Sequence, residues 1–297
     1  MAVALVTDSS ACLDPAEAER RGIDVAPLHV LRDGRDYREG VDVMPEDLAG
    51  ATTAGASPAE LRGVYGHALE RSEGDGVVAV HISRPLSGTW EAARNAAKDF
   101  GGRVRIVDSR STAMGLGFAV LAAADESARG ADLDAVYEVA VDSAARSRCF
   151  IVVDSLENLR RGGRIGTAAA LLGTALSIKP VLHLHEGRLV VREKTRTATK
   201  ARTKMLDAAV DAAGDPDPAA RTRSRPVDLA VHHFRSPDVA ESVAQRLGTM
   251  IETADGVRVT EFDAVLGVHV GPGAIGVVVS PRVQEREETE GFSTGSH

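Results

Sequence analysis

Apolar runs, polar turns and helix-forming stretches follow one another in a regular order along the first half of the chain. The clearest unit is Val77 to Ala97. It opens with a β-branched apolar run, Val77 to Ile82, that is typical of a strand buried on both faces of a sheet. A polar turn, Ser83 to Thr89, separates this run from an alanine-rich stretch, Trp90 to Ala97, that favours a helix. The pattern therefore predicts a buried strand that leads through a short turn into a helix.

The same succession predicts further elements before residue 150. Strands are expected at Met1 to Val6, Ile23 to Leu31, Val77 to Ile82 and Val104 to Val107. Helices are expected at Pro15 to Arg21, Pro58 to Arg71, Thr112 to Arg129 and Leu133 to Arg146. Repeated strand, turn and helix units of this kind predict a mostly parallel sheet with helices on both of its faces.

Local signals mark the ends of several elements. Asp14 before Pro15 is a helix N-cap, and Ser57 with Glu60 forms a capping box. Asp33-Gly34 is a hairpin turn. A helix start is expected at Met44 to Asp47, and a loop at Thr52 to Pro58.

The second half of the chain has a different pattern. Strands are expected at Cys149 to Val153, Ile178 to Leu182, Leu189 to Val191, Val227 to His232 and Val257 to Glu261. Helices are expected at Ala168 to Leu176, Thr197 to Ala213 and Asp238 to Leu247. A Pro/Asp/Arg loop is expected at Gly214 to Arg225, and two apolar arms from Gly267 to Ser280.

These patterns predict an α/β protein of two α/β domains. Residues 1–157 are predicted to form the first domain, with a mostly parallel sheet, and residues 158–282 the second, with a mixed sheet. Residues 283–297 lack apolar content and are predicted to be a disordered tail.

Composition narrows the classes of function. The formal net charge of −8 argues against a general nucleic-acid binder, which needs an excess of basic residues. The two cysteines, Cys12 and Cys149, match neither a metal nor a redox spacing. The apolar start of the chain is too short for a signal peptide, and no run reaches the ~18 apolar residues of a membrane span. A cytoplasmic protein without an integral membrane segment is therefore expected.

The turn Ser87-Gly88-Thr89 is the strongest candidate site. It lies where the N–H groups of a helix face outward at the carboxyl end of a parallel strand, and its two hydroxyls exceed what a simple helix cap needs. This predicts an anion site, which a phosphate- or nucleotide-binding enzyme could also use. A serine hydrolase built on Ser87 is a third alternative, but the first glycine of a nucleophile elbow is missing. No catalytic residue, metal cluster, P-loop or dinucleotide fingerprint is identified.

Taken together, the motifs resemble those of the DegV family, which includes the fatty-acid-binding subunits of bacterial fatty acid kinase. The resemblance covers Val3 to Val279. The motifs that carry it are Val6 to Ser10, Leu86 to Thr89, Val107 to Ser109, Leu159 to Gly166, Ile178 to Pro180 and His269 to Gly276.

The resemblance implies a function in lipid binding rather than catalysis. A member of this family holds a long-chain fatty acid between and within two α/β domains. It presents the carboxylate to a separate ATP-dependent fatty acid kinase, which makes the acyl phosphate used in phospholipid metabolism. The bound fatty acid would be the ligand, and no cofactor is implied.

The resemblance also assigns roles to individual residues. Ser87, Thr53 and His269 correspond to the fatty-acid-binding positions, and the predicted set is completed by Gly88, Thr89 and Arg164. The loop after Thr53 lacks a second hydroxyl of the family pattern. A histidine in an apolar arm is otherwise most often a core residue, so this alternative stays open for His269.

One further residue is assigned to a partner. Arg196 corresponds to an arginine implicated in engaging the kinase. It lies in a basic stretch, Arg192 to Arg202, whose alternative interpretation is a solvated helix start.

Overall fold

The chain folds around three β-sheets in a computed structural model that describes residues 2–165, 178–214, 226–253 and 255–282. The strands are β1 (Ala4–Asp8), β2 (Ile23–Ala26), β3 (His29–Arg32), β4 (Arg35–Arg38), β5 (Thr52–Ala54), β6 (Val77–His81), β7 (Val104–Asp108), β8 (Arg148–Val152), β9 (Lys179–His185), β10 (Arg188–Thr195), β11 (Val227–His233), β12 (Val257–Glu261) and β13 (Ile275–Pro281). The helices are α1 (Pro15–Arg20), α2 (Pro58–Arg71), α3 (Thr89–Ala97), α4 (Met114–Ala128), α5 (Leu133–Arg146), α6 (Glu157–Arg161), α7 (Ala198–Ala213), α8 (Pro237–Met250) and α9 (Ala264–Val270).

The first sheet is fully parallel, with the strand order β2-β1-β6-β7. Alternate residues of β6 face opposite sides, as the pleat requires. Val77 and Ala79 pack with α2 and α3, whereas Val78 and Val80 pack with α4 and α5. Burial on both faces explains the continuous apolar run of this strand, and the predicted parallel sheet flanked by helices is confirmed.

The cap signals are also confirmed. The carboxylate of Asp14 accepts hydrogen bonds from the first turn of α1. Ser57 and Glu60 form a reciprocal capping box at the start of α2, with distances of 3.2 Å and 2.8 Å. Short-range chemistry of this kind is independent of the rest of the fold, because both partners lie within one turn of each other.

The predicted strand Ile23 to Leu31 is wrong as a single element. Pro27 divides it, since a proline has no N–H for a sheet ladder. The part before it is β2 of the parallel sheet, and the part after it is β3 of a small antiparallel sheet with the order β4-β3-β5. The turn Asp33-Gly34 joins β3 to β4, with φ of 51° and 74° at its two residues, as the hairpin signal predicts.

Two predictions after this hairpin are wrong. Residues 44–47 do not form a helix; the carboxylate of Asp47 instead accepts a bond from the N–H of Ala49, which makes a local turn. The expected loop at Thr52 to Pro58 begins with a strand, β5, because Thr52 and Thr53 pair with β3. That pairing fixes the position of Thr53.

The second sheet is mixed, with the order β10-β9-β8-β13-β11-β12. The pair β11–β12 is parallel and the other neighbours are antiparallel. Helices α7 and α8 pack against one face of this sheet. The strand β8 precedes residue 158, so this sheet takes a strand from before the predicted start of the second domain. The division at residue 157 stays a prediction.

The predicted apolar arm that begins at Gly267 is a helix in the structure. Residues 264–270 form α9, and only the second arm, from Ile275, is a strand. The run of apolar residues is buried on most sides of this short helix, so it lacks the alternation that would separate helix from strand. The predicted helix Ala168 to Leu176, most of the loop Gly214 to Arg225 and the tail 283–297 lie outside the described residues.

Side chains bond across the space between the two large sheets. The N–H of Met114 donates to Nε2 of His232 at 3.1 Å, and the hydroxyl of Ser83 donates to the carbonyl of Gly187 at 2.8 Å. Glu17 of α1 pairs with Arg258 of β12 at 2.6 Å. Within the described ranges no helix is sufficiently long and apolar to cross a bilayer.

Candidate functional site

A cavity of about 120 Å³ lies between the parallel sheet and the mixed sheet. Its apolar wall comes from both halves of the chain: Leu28, Ile82 and Leu86 from the first, and Phe150, Leu184 and Leu189 from the second. Polar side chains converge on part of this wall. An apolar cavity with a few convergent polar groups is the usual form of a small-molecule site.

The turn after β6 places Ser87 in the cavity wall. Its hydroxyl lies 2.9 Å from Oγ1 of Thr89 and accepts a bond from the backbone N–H of Thr89 at 3.3 Å. The N-cap residue of α3 is Gly88, which has no side chain with which to cap the first turn. Two hydroxyls and the start of a helix are thus grouped at the carboxyl end of a parallel strand, as the sequence predicts.

Thr53 and His269 lie beside each other in the same cavity. Oγ1 of Thr53 is 2.8 Å from Nε2 of His269, and both residues are half-buried. Burial lowers the pKa of His269 to about 4, and the positive charges of Arg164 and Arg161 act in the same direction. The imidazole is therefore neutral at pH 7.

Arg164 connects the second half of the chain to the serine turn. Its Nε donates to the carbonyl of Leu86 at 3.1 Å, next to Ser87, and another guanidinium nitrogen donates to the carbonyl of Gly162. Of the predicted fatty-acid-binding positions, Thr53, Ser87, Gly88, Arg164 and His269 line one cavity, and Thr89 bonds to Ser87. Their role in holding a carboxylate stays a prediction.

Two glycines leave room for this cluster. A Cβ atom added to Gly55 would lie 2.6 Å from Oγ1 of Thr89 and 3.2 Å from Oγ of Ser87. A Cβ added to Gly162 would lie 2.4 Å from Nδ1 of His269. Sequence reasoning missed both, because the need for a glycine arises from residues that are distant in sequence.

His232 and Phe262 also line the cavity, and sequence reasoning missed them too. Their rings stack with centroids 5.0 Å apart. Nε2 of His232 accepts the N–H of Met114, so it fills the role of a cap at the start of α4, where Ala113 has the unusual φ of 52°. Burial lowers the pKa of His232 to about 3. A histidine in a strand gives no sign in the sequence that it will cap a helix from the other half of the chain.

The aspartates at the carboxyl ends of β1 and β7 have structural roles. Asp8 is fully buried; its carboxylate accepts the N–H of Ile82 at 2.9 Å and lies 3.0 Å from Nδ1 of His81. Asp108 accepts the N–H of Arg84 at 3.2 Å. Both carboxylates thus hold the start of the turn that carries Ser87. Among the described residues no group of His, Cys, Asp and Glu has the arrangement of a metal site.

The geometry does not favour Ser87 as a nucleophile. A catalytic serine needs a base in hydrogen-bond contact with its hydroxyl. Here the hydroxyl of Ser87 is paired with Thr89, and the imidazole of His269 is paired with Thr53.

Arg196 lies apart from this cluster. It is exposed in the bend between β10 and α7, and it is not among the described residues that line the cavity. Its predicted contact with a kinase is not tested by its position.

Comparison with known proteins agrees with this geometry. The DegV family model, described as uncharacterised proteins of the DegV family, matches residues 2–282. A DegV domain-containing protein of Mycobacterium tuberculosis is 46% identical over 281 residues, which cover 94% of this chain and 97% of the relative.

Two solved structures have the same fold. A fatty-acid-binding DegV family protein from Thermus thermophilus is 34% identical, with a TM-score of 0.85 over 95% of this chain and 100% of its own. DegV of Bacillus subtilis, a fatty acid binding protein, is 27% identical, with a TM-score of 0.81 over 95% and 100%. On the match of sequence, family model and fold, the chain belongs to the DegV family.

Proposed function

We propose that this chain binds a long-chain fatty acid, with the carboxylate at the polar cluster and the acyl chain in the cavity. The observation that carries the proposal is the convergence of Thr53, Ser87 and His269 on one apolar cavity. The fatty-acid-binding relatives from Thermus and Bacillus support it.

The chemistry of the cluster suits a carboxylate. The hydroxyl of Ser87 and that of Thr53 can each donate a hydrogen bond to an oxygen anion, and each such bond contributes ~1.5–3 kcal/mol net. His269 can donate as a neutral or a protonated ring. Arg164 adds a positive charge next to the serine turn, since its guanidinium donates to the carbonyl of Leu86.

The acyl chain would contribute more free energy than the carboxylate. Burial of a chain of about 16 carbons at ~0.8 kcal/mol per methylene gives roughly 12 kcal/mol before the cost of ordering. A phosphate or a nucleotide gains nothing comparable from a wall of leucine, isoleucine and phenylalanine. The apolar lining therefore favours the fatty acid over the alternative of a phosphate- or nucleotide-binding enzyme.

We further propose that the chain is a carrier rather than an enzyme. In this view it presents the carboxylate to a separate ATP-dependent kinase in the cytoplasm, and Arg196 belongs to the surface that meets the kinase. The resemblance to fatty acid kinase subunits and the exposure of Arg196 support this role.

Native mass spectrometry of the purified protein tests the first proposal. We expect an adduct of a few hundred daltons that is recovered as fatty acid in an organic extract of the denatured protein. Absence of lipid together with binding of a nucleotide or a sugar phosphate would instead support the enzyme alternative.

A further inference from the structure

The helix that carries His269 is capped by a residue from the other half of the chain. The N-cap residue of α9, Asp263, makes no side-chain cap bond. Oε1 of Glu39 accepts the N–H of Val265, in the first turn of α9, at 2.7 Å. Glu39 directly follows β4 of the small sheet and is only 6% exposed. A buried carboxylate thus does the work that a cap residue of the helix normally does.

The other carboxylate oxygen of Glu39 is held by Ser9. The hydroxyl of Ser9, just after β1, lies 2.6 Å from Oε2 of Glu39 and accepts the N–H of Leu28 at 3.1 Å. This contact is compatible with either protonation state, because the hydroxyl donates to a carboxylate and accepts from a carboxylic acid. The side chain is therefore fixed whether or not it carries a proton.

Helix α9 is consequently attached to the first half of the chain at both ends. Glu39 binds its first turn, and Thr53 binds His269 in its last turn. Between these two contacts, Val265 and Leu266 form part of the cavity wall. The two turns of this helix thus join Glu39 to the polar cluster.

The surroundings of Glu39 are acidic. It faces Asp263, from the segment before α9, and Asp8, at the end of β1. Asp263 in turn faces the buried thiol of Cys12 and the carboxylate of Glu261 on β12. Each carboxylate that ionises here makes the ionisation of its neighbour less favourable.

Burial, followed by the charge of Asp263, raises the pKa of Glu39 to about 7, against the opposing effect of the bonds from Ser9 and Val265. Burial also raises the pKa of Asp263 above its usual range. Because the folded protein favours the protonated form, the stabilisation is fully present below the unfolded pKa near 4.5 and is lost as the pH rises through about 7.

We propose that Glu39 is a positioning residue, which docks α9 and His269 onto the first half of the chain through the N–H of Val265 and the hydroxyl of Ser9. The proposal rests on the proposed binding of fatty acid. It makes that binding depend on a residue that does not line the cavity.

The test compares the affinity for cis-parinaric acid, a fluorescent fatty acid, in wild type, Glu39→Ala and Glu39→Gln. Glu39→Ala, which loses the cap, should bind up to about tenfold more weakly than wild type. Glu39→Gln should restore most of that loss, because glutamine keeps an acceptor for Val265 and a group for Ser9.

Glu17→Ala is the matched control. Glu17 also bridges the two halves of the chain, but its carboxylate bonds to Arg258 and Arg21 rather than to α9. Its variant should therefore keep the wild-type affinity. A Glu39→Ala variant with the wild-type affinity would overturn the proposal.

Hydrogen exchange without ligand separates this inference from the proposed function. The peptide that contains residues 264–270 should exchange faster in Glu39→Ala than in wild type, and Glu39→Gln should restore most of the protection. If the wild-type protein binds no fatty acid, the proposed function fails and the exchange result still decides the role of Glu39. Equal exchange in wild type and Glu39→Ala would refute that role.

Discussion

Oγ1 of Thr53 lies 2.8 Å from Nε2 of His269, although 216 positions separate them in the sequence. Thr53 belongs to a short strand and His269 to the last turn of a helix from the other half of the chain. The bond therefore joins the two halves at the polar cluster itself. A ligand that bonds to either residue is sensitive to how the halves are held together.

Replacement of Ser87 by alanine should reduce the amount of bound fatty acid much more than it reduces the stability of the fold. Loss of one hydrogen bond to a carboxylate, at ~1.5–3 kcal/mol, weakens affinity by roughly ten- to a hundredfold. Co-purified fatty acid, measured by extraction, should fall accordingly, while the midpoint of thermal unfolding changes little.

Ser236→Ala is a suitable control for Ser87→Ala. Ser236 is the N-cap residue of α8 and makes no side-chain cap bond, so the loss of its hydroxyl should leave the lipid content unchanged. A normal lipid content in Ser87→Ala would show that the carboxylate is held elsewhere.

Gly55→Ala should weaken fatty acid binding without a change in charge. The new methyl group would lie 2.6 Å from Oγ1 of Thr89, which is fully buried and bonded to Ser87. Overpacking of this kind costs ~1–3 kcal/mol, and here the strain falls on the two hydroxyls.

Gly63→Ala is the matched glycine control, measured by the same binding titration. Gly63 lies within α2, where an added Cβ meets no atom within 4 Å, so the substitution should raise helix stability by up to ~1 kcal/mol. Its affinity should be that of the wild type. Equal affinity of Gly55→Ala and Gly63→Ala would mean that the space beside Thr89 does not matter for binding.

Fatty acid binding should be accompanied by proton uptake at His269. The pKa of this residue is lowered to about 4 by burial and by Arg164 and Arg161, and a bound carboxylate favours the imidazolium form. Calorimetry in two buffers of different ionisation enthalpy, at a pH of about 5.5, where Glu39 is already protonated, should reveal the uptake.

His269→Gln should abolish most of this uptake while keeping a hydrogen-bond donor. Identical uptake in wild type and variant would assign the proton to another group. In the ligand-free protein the lowered pKa of His269 also affects the stability of the fold. The stabilisation is fully present above the unfolded pKa near 6.5 and decreases as the pH falls towards about 4.

His269→Ala and Arg196→Ala should have separable effects. His269 lies in the cavity wall, so its loss should reduce retained fatty acid. Arg196 is exposed outside that wall, so its loss should leave the lipid in place and reduce acyl phosphate formation by a cognate kinase. Retained fatty acid and kinase-dependent turnover, measured on both variants, distinguish the two roles.

Lys200→Ala tests whether any positive charge in this region would give the same result. Lys200 is exposed in the first turn of α7, four residues after Arg196. The Lys200→Ala variant should support kinase-dependent turnover at the wild-type rate.

Loss of lipid in Arg196→Ala, with none in His269→Ala, would reverse the roles assigned to Arg196 and His269.

The sequence predicted well those features that depend on neighbours along the chain. The capping box of Ser57 and Glu60 and the hairpin at Asp33-Gly34 are examples, since all the interacting atoms lie within a few residues. The buried run of β6 was equally clear, because a strand covered on both faces needs apolar side chains on both.

Features that depend on distant pairing were missed. Thr53 lies in a strand only because β3 offers an edge to it, and nothing in its own segment favours a strand over a loop. His269 was expected in an apolar arm, whereas the cap from Glu39 stabilises a short helix there. The close approach at Gly55 likewise depends on Thr89, which a reading of one sequence cannot place.

The position of β8 has a consequence for how the chain folds during synthesis. β8 lies in the interior of the mixed sheet, between β9 and β13, although it precedes both of them in the chain. The parallel sheet needs no strand beyond Asp108 and can form while the ribosome is still translating the second half. β8 has one edge unpaired until residues 275–281 emerge, so the mixed sheet closes only after those residues have left the ribosome. A piece of the protein that starts at residue 158 would lack this interior strand and expose two sheet edges, which makes aggregation the expected outcome.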